Sequence, residues 1–249
     1  MGRRDLRPAM TVELSDKGGG REQAAMEKIE LVSPLDGFRF AAFRQAPPDA
    51  RRGGLIVIQE IFGVTDHIRE QAAAYAEEGF EVIAPSLFDR RAPGFEAAYA
   101  PEDIKRAAEL SQATPWNEVA ADLAACVAAL APPVFAVGWC WGGAASWMAA
   151  CRVEGLAAAS CYYGRRIPEF AGETPKCPVI AHFGKRDASI PMAVVEQIEA
   201  AHPDIPVYVY DAGHGFNSDR RADYDADCAR LAKLRTLQLF AQAANRGEF

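Results

Sequence analysis

Short apolar runs alternate along this chain with longer stretches in which apolar positions recur at helical spacing. KIELV and FRFAAFR, separated by a turn around LDG, predict an opening hairpin. LIVIQ (55–59) is wholly apolar and rich in β-branched residues, the pattern of a strand buried on both faces. A loop, EIFGVTDH, leads into a helix over IREQAAAYAEEG that stops at Gly79, and FEVIAPSL (80–87) is the next strand. FDRRAPGFEAAYAPED reads as a loop with a helix start at Pro101, and NEVAADLAACVAALA is an amphipathic helix. VFAVG (134–138) runs directly into the helical segment CWGGAASWMAA. GLAAASCYYG, PVIAHFG and PVYVYDA are three more strands, with a helix over PMAVVEQIEAAH and a last helix over RADYDADCARLAKLRTLQLFAQAA.

Strands that alternate with helices pair in parallel, because a parallel pair needs a crossover connection. The expected architecture is a single α/β domain over 26–249, a doubly wound, mostly parallel sheet with helices on both faces. Residues 1–25 are charged and Gly-rich without periodicity, which predicts a disordered extension, and Met10 or Met26 is a possible alternative start. That segment lacks the apolar core of a secretory signal.

Composition narrows the class. Half of the 249 residues are hydrophobic and the net charge is −7, which argues against a nucleic-acid or anionic-membrane surface. No apolar run approaches the roughly 20 residues that span a bilayer. The six cysteines (126, 140, 151, 161, 177 and 228) form no C-x-x-C pair, so no metal is expected; most lie in apolar surroundings that suit reduced thiols and a cytoplasmic location.

Ligands of open α/β sheets bind beyond the carboxyl ends of the strands. Glu60, Arg90 and Arg91, Cys140, Asp187 and His214 each follow an apolar strand. Gly-Trp-Cys-Trp-Gly-Gly (138–143) matches a strand–turn–helix nucleophile elbow with cysteine as the nucleophile. Glycine is required there because strand and helix backbones come close, and a helix N-terminus favours negative charge on sulfur. The alternative is a bystander thiol in a tight turn. Cys140, Asp187 and His214 occur in the order nucleophile, acid, histidine, the order of the α/β hydrolases. Asp187 could instead cap the helix near Pro191. The other histidines read as structural: His67 as a cap or surface residue, His182 as a core residue with a hydrogen-bond partner, His202 as a helix-end cation.

QEIFG (59–63), RRAPG (90–94), GWCWGG (138–143), GKRD (184–187) and AGHGF (212–216) together resemble the dienelactone hydrolase family of α/β hydrolases, over roughly residues 26–245. The resemblance implies an α/β-hydrolase fold and a Cys140–His214–Asp187 triad needing no cofactor. It also implies that Glu60 contacts the resting thiol and takes up its proton when substrate arrives, and that the backbone N–H groups of Ile61 and Trp141 form the oxyanion hole. Arg90 matches an arginine that grips a substrate carboxylate. The substrate class implied is a dienelactone (a carboxymethylenebutenolide), opened to a keto-acid such as maleylacetate.

One position departs from the pattern. Ser218 stands where those proteins carry a second carboxylate-binding arginine, and Arg220 or Arg221 follows two or three residues later. Two readings therefore stand beside the lactonase: a broader carboxylesterase or thioesterase of the same fold, and a non-catalytic protein with Cys140 as a sensing thiol. Trp139, Trp141 and Phe62 are candidates for either pocket walls or core. The partner expected is a small ester or lactone, and the chain a monomer or small homo-oligomer.

Overall fold

The computed structural model describes residues 26–246; the expected N-terminal extension lies outside them. A first hairpin, β1 (Glu27–Val32) and β2 (Arg39–Gln45), closes through a turn with Gly37 at φ 76°. Then follow β3 (Gly53–Ile58), α1 (Asp66–Glu77), β4 (Phe80–Pro85), α2 (Pro101–Ala113) and α3 (Trp116–Ala128). The second half comprises β5 (Val134–Trp139), α4 (Trp141–Arg152), β6 (Leu156–Tyr162), β7 (Val179–Gly184), α5 (Met192–Ala201), β8 (Val207–Tyr210) and α6 (Ala226–Arg246). One eight-stranded sheet has the order β1-β2-β4-β3-β5-β6-β7-β8; β1 and β2 are antiparallel additions and the rest is parallel.

Every residue of β3, β5 and β7 is buried, so both faces of the sheet are covered. On one side α3, α4 and α5 pack together through α4 and the short 3-10 turn Ile167–Phe170. Elsewhere α1 and α6 are joined, with Lys233 of α6 3.1 Å from Glu78 and over the Tyr75 ring. Helix α4 is buried from Trp141 through Cys151, as expected of a helix that is apolar all round. No helix among the described residues is long and apolar enough to cross a membrane.

The last helix starts later than its pattern predicts. Asp225 caps it, its Oδ1 accepting the Cys228 N–H at 2.9 Å. Residues 211–225 are thereby left as a loop, and this loop carries His214 and Arg221.

Chain direction along the sheet reverses between β3, which is followed by β4 on one side, and β5 on the other. A crevice is expected at such a switch point. The parallel register pairs Ile58 with Gly138, so Glu60 and Cys140, each two residues further on, leave the sheet at the same level.

Candidate active site

The elbow is built by close backbone approach. A Cβ at Gly142 would lie 2.3 Å from the Gln59 carbonyl oxygen, and one at Gly143 2.3 Å from that of Tyr162. Only glycines let the first turn of α4 wedge between the ends of β3 and β6. Cys140, the N-cap of that helix, sits at φ 54°, ψ −116°, a backbone conformation costing a non-glycine residue about 1–3 kcal/mol. Its N–H donates to the Tyr162 carbonyl at 3.0 Å, which fixes the turn against β6. The thiol is partly exposed into a cleft of about 510 Å3.

A second glycine contact brings acid and histidine together. Gly184 ends β7 against the Ala212–Gly213 backbone, where a Cβ would lie 2.5 Å from the Ala212 carbonyl oxygen. Lys185 and Arg186 N–H groups donate to the Tyr210 and Ala212 carbonyls at 2.7 and 2.9 Å, zipping the two loops side by side. Asp187 Oδ2 then lies 2.6 Å from His214 Nδ1. Its Oδ1 is held by the backbone N–H groups of Ser189 (2.7 Å) and Ile190 (3.1 Å) and by the Ser189 hydroxyl (2.7 Å). Burial would raise this carboxyl, but the bonds from His214 and Ser189 outweigh burial and hold it below the usual carboxylate range. Burial would likewise lower His214; the hydrogen bond with Asp187 and the interaction with Cys140 overcome it and raise the imidazole to about 10.

Glu60 is 2% exposed and burial raises its carboxyl, opposed by the nearby charges of Arg221 and His214. No hydrogen bond joins it to Cys140, and its Oε2 has no protein partner. Ile61 and Trp141 both line the cleft beside Cys140. The Trp141 N–H belongs to the first turn of α4, where helix amides lack an intrahelical acceptor.

The arginines sort differently from expectation. The structure does not bring Arg90 to the cleft. Its side chain is 9% exposed and spans two carboxylates, Asp36 in the first hairpin turn (2.6 Å) and Asp122 on α3 (2.9 Å), with the Phe38 ring beneath it. A guanidinium so engaged has no free fork for a substrate. Arg220 also points elsewhere, toward Glu70 (2.5 Å) and Asp219 (3.0 Å) on the surface. Arg221 does reach the site: its side chain packs on Gly215 and over the Tyr99 ring, and its charge acts on Glu60. Replacing Arg90 by methionine should therefore destabilise the fold by about 3 kcal/mol, since Asp122 is left buried and unpaired. Thermal melting would detect this, while kcat/KM on a carboxylate-bearing lactone should stay within about threefold. A stable variant with weakened recognition of that carboxylate would return Arg90 to the substrate.

Other readings divide in the same way. Trp139 and Phe62 are core, whereas Trp141 lines the cleft and stacks on Trp116 at 5.5 Å. His182 is a core residue bonded to Tyr210 (2.9 Å) and Ser160 (3.2 Å). His202 caps the end of α5. His67 is not at the surface: it is 2% exposed, and burial lowers it to about 4. Its ring, Glu70 and Asp219 bring ligand atoms within 4.8 Å of one another, but the Arg220 guanidinium already bridges the two carboxylates. A cavity of about 550 Å3 lies at the amino ends of β7 and β8, far from Cys140 in the fold.

Two contributors escaped sequence reading. Ser189 touches both Asp187 and His214, its hydroxyl 3.1 Å from His214 Nδ1. The Asp-Ala-Ser spacing of a local side-chain turn was the available signal. Tyr163, fully buried at φ 37°, packs edge-on against the His214 ring at 5.0 Å, and nothing in its local sequence announces that.

A parallel sheet with a strained residue at a strand–helix elbow, an acid and a histidine on the following loops defines an α/β hydrolase. Residues 40–244 match the dienelactone hydrolase family, and the chain belongs to that family. It is a hydrolase of carboxylic-ester or lactone bonds. A Synechocystis protein named "Putative carboxymethylenebutenolidase" is 39% identical over 208 residues, 75% of this chain and 84% of that one. The carboxymethylenebutenolidase of Pseudomonas sp. strain P51 is 33% identical, over 84% of this chain and 92% of its own. The crystal structure of "Putative Dienelactone Hydrolase" from Klebsiella pneumoniae superposes with a TM-score of 0.76 at 32% identity, covering 88% of this chain and 99% of that one.

Proposed function

We propose that the protein hydrolyses a lactone or ester through Cys140, His214 and Asp187, and that its preferred substrate is a dienelactone-type enol lactone with a free carboxylate. The observation carrying this reading is the Asp187–His214 bond of 2.6 Å, set facing a cysteine that the backbone holds at positive φ.

The thiolate of Cys140 attacks the lactone carbonyl, and the oxyanion is held by the Ile61 and Trp141 N–H groups. The ring C–O bond breaks as the His214 imidazolium donates its proton to the departing oxygen. The opened chain stays attached as a thioester. Neutral His214 then takes a proton from water, the hydroxide oxygen adds to the carbonyl, and the C–S bond breaks to regenerate thiolate and imidazolium. Asp187 holds the imidazole in one tautomer throughout. Glu60, whose burial favours its protonated form, suits the task of accepting the thiol proton.

A carboxylesterase or thioesterase without preference for an anionic substrate is the second reading, favoured by the engagement of Arg90 and by Ser218. Comparing kcat/KM for a carboxylate-bearing enol lactone with that for its methyl ester and for p-nitrophenyl acetate separates them. The lactonase reading expects at least about tenfold preference for the free acid. Equal values would leave the esterase.

A further inference from the structure

Arg90 and Arg220 are committed elsewhere, and Arg221, over the Tyr99 ring beside Glu60, is not among the residues lining the cleft at Cys140, so a substrate carboxylate there needs another cation. Three charged side chains line the cleft above Cys140: Arg165, Arg166 and Glu169, all from the segment after β6. Two of them cancel. Arg166 binds Glu169 with both arms of its fork, Nε to Oε1 at 2.5 Å and Nη2 to Oε2 at 2.9 Å, and lies over the Trp116 ring. Glu169 additionally accepts the Trp116 indole N–H at 2.9 Å. Arg165 has no ion-pair partner among the described residues, so it is the uncompensated charge of the cleft. The remaining lining is apolar or neutral, including Ile61, Trp141 and Ala108.

Arg165 follows a turn that packs against the elbow presenting Cys140. β6 is followed by the strained Tyr163, whose N–H donates to the His182 carbonyl at 2.7 Å and whose ring abuts His214. Gly164 is then pressed onto the start of α4: a Cβ there would lie 2.8 Å from the Ala144 nitrogen and 2.9 Å from the Gly143 carbonyl carbon. The next residue is Arg165. A corner touching both the helix of Cys140 and the imidazole is thus followed by an exposed guanidinium on the wall of the cleft that Cys140 also lines. Backbone strain of this kind persists where surrounding structure over-determines it and is concentrated at functional sites.

We propose that Arg165 is the specificity residue that binds the substrate carboxylate, on the side of the cleft formed by the segment after β6 rather than on the Arg90 side. This rests on the Cys140 chemistry and the carboxylate preference of the first reading above, and it predicts acyl substrates with an apolar body against Ile61 and Trp141 and a carboxylate within bidentate reach of Arg165.

The test uses two aryl esters, 4-nitrophenyl hydrogen succinate and its methyl ester, on the full-length protein and on Arg165→Gln and Arg165→Lys. The readout is the ratio of kcat/KM for acid over methyl ester. Arg165→Gln should lower this ratio by about 30-fold, a charged hydrogen-bond pair's worth, with partial recovery in Arg165→Lys. An unchanged ratio overturns the assignment, even if both rates fall. If wild-type protein hydrolyses neither ester, the catalytic reading fails by itself. Equilibrium binding to the Cys140→Ala protein then decides the arginine: tighter binding of the acid, lost on adding Arg165→Gln, sustains it, and equal binding of both esters overturns it.

Discussion

Cys140→Ala should abolish turnover of every ester and lactone, lowering kcat by about 10⁴-fold or more. Sulfur is the atom that bonds to the acyl group in the proposed cycle, and no neighbouring side chain can replace it. Ser146, the nearest hydroxyl along α4, is fully buried and so out of reach of the cleft. The loss should not come from unfolding. Alanine suffers the same positive φ as cysteine, and the thiol is only partly buried, so melting temperature should move little. Steady-state kinetics with matched melting curves checks both halves. Retained turnover would remove Cys140 from the mechanism. A wild-type thiol that alkylates readily, in a protein that turns over no ester, would favour a sensing role.

Asp187→Asn should lower kcat by about 10³–10⁴-fold with the fold intact. The reason is geometric. Three donors converge on Oδ1, the Ser189 N–H, the Ser189 hydroxyl and the Ile190 N–H, so asparagine must keep its carbonyl oxygen there. Its NH2 group is then turned toward His214 Nδ1, which is forced to accept, and the ring proton moves to the nitrogen facing Cys140. Imidazole in that tautomer cannot take a proton from water.

The same substitution should alter the dependence of stability on pH. His214 is raised in the folded protein to about 10, above its ordinary 6.5. Its contribution is therefore complete below pH 6.5 and is lost as pH rises toward 10. Asp187 is lowered, so its contribution is present above pH 3.8 and lost as pH falls below that. The stability gap between wild type and Asp187→Asn should be widest between these limits and narrow toward pH 10. Urea unfolding at pH 5.5 and pH 9.5 measures it. A gap that does not shrink at the higher pH would mean that the acid and the imidazole are not coupled as their geometry implies.

Much of this arrangement is legible in sequence because it depends on local chemistry. A run such as Leu55–Ile58 can bury both faces only as a central strand, and Gly142 and Gly143 beside a cysteine mark a turn in which backbones touch. Collinear order carried Asp187 and His214 with it, since each sits directly after a strand whose end must lie at the same edge of a parallel sheet. The late start of α6 was less legible, because a capping aspartate inside a polar segment is one of several such residues in Asp-Tyr-Asp-Ala-Asp.

Charge pairing was not legible at all. Arg90, Arg165, Arg220 and Arg221 are alike as letters in polar loops. Their roles follow from carboxylates brought close by folding: Asp36 and Asp122 lie 54 and 32 residues from Arg90, and Glu70 lies 150 residues from Arg220. Tyr163 and Ser189 reach His214 in the same manner, through contacts between neighbouring strand ends. Sequence alone determined the fold class, the elbow and the order of Cys140, Asp187 and His214 at one edge of the sheet, because glycine sterics, strand burial and crossover connections act within a few residues or one strand–helix step. Tertiary structure decided which cations are free to meet a substrate, because an ion pair depends on distance in space, and that distance is set by the packing of segments far apart in the chain.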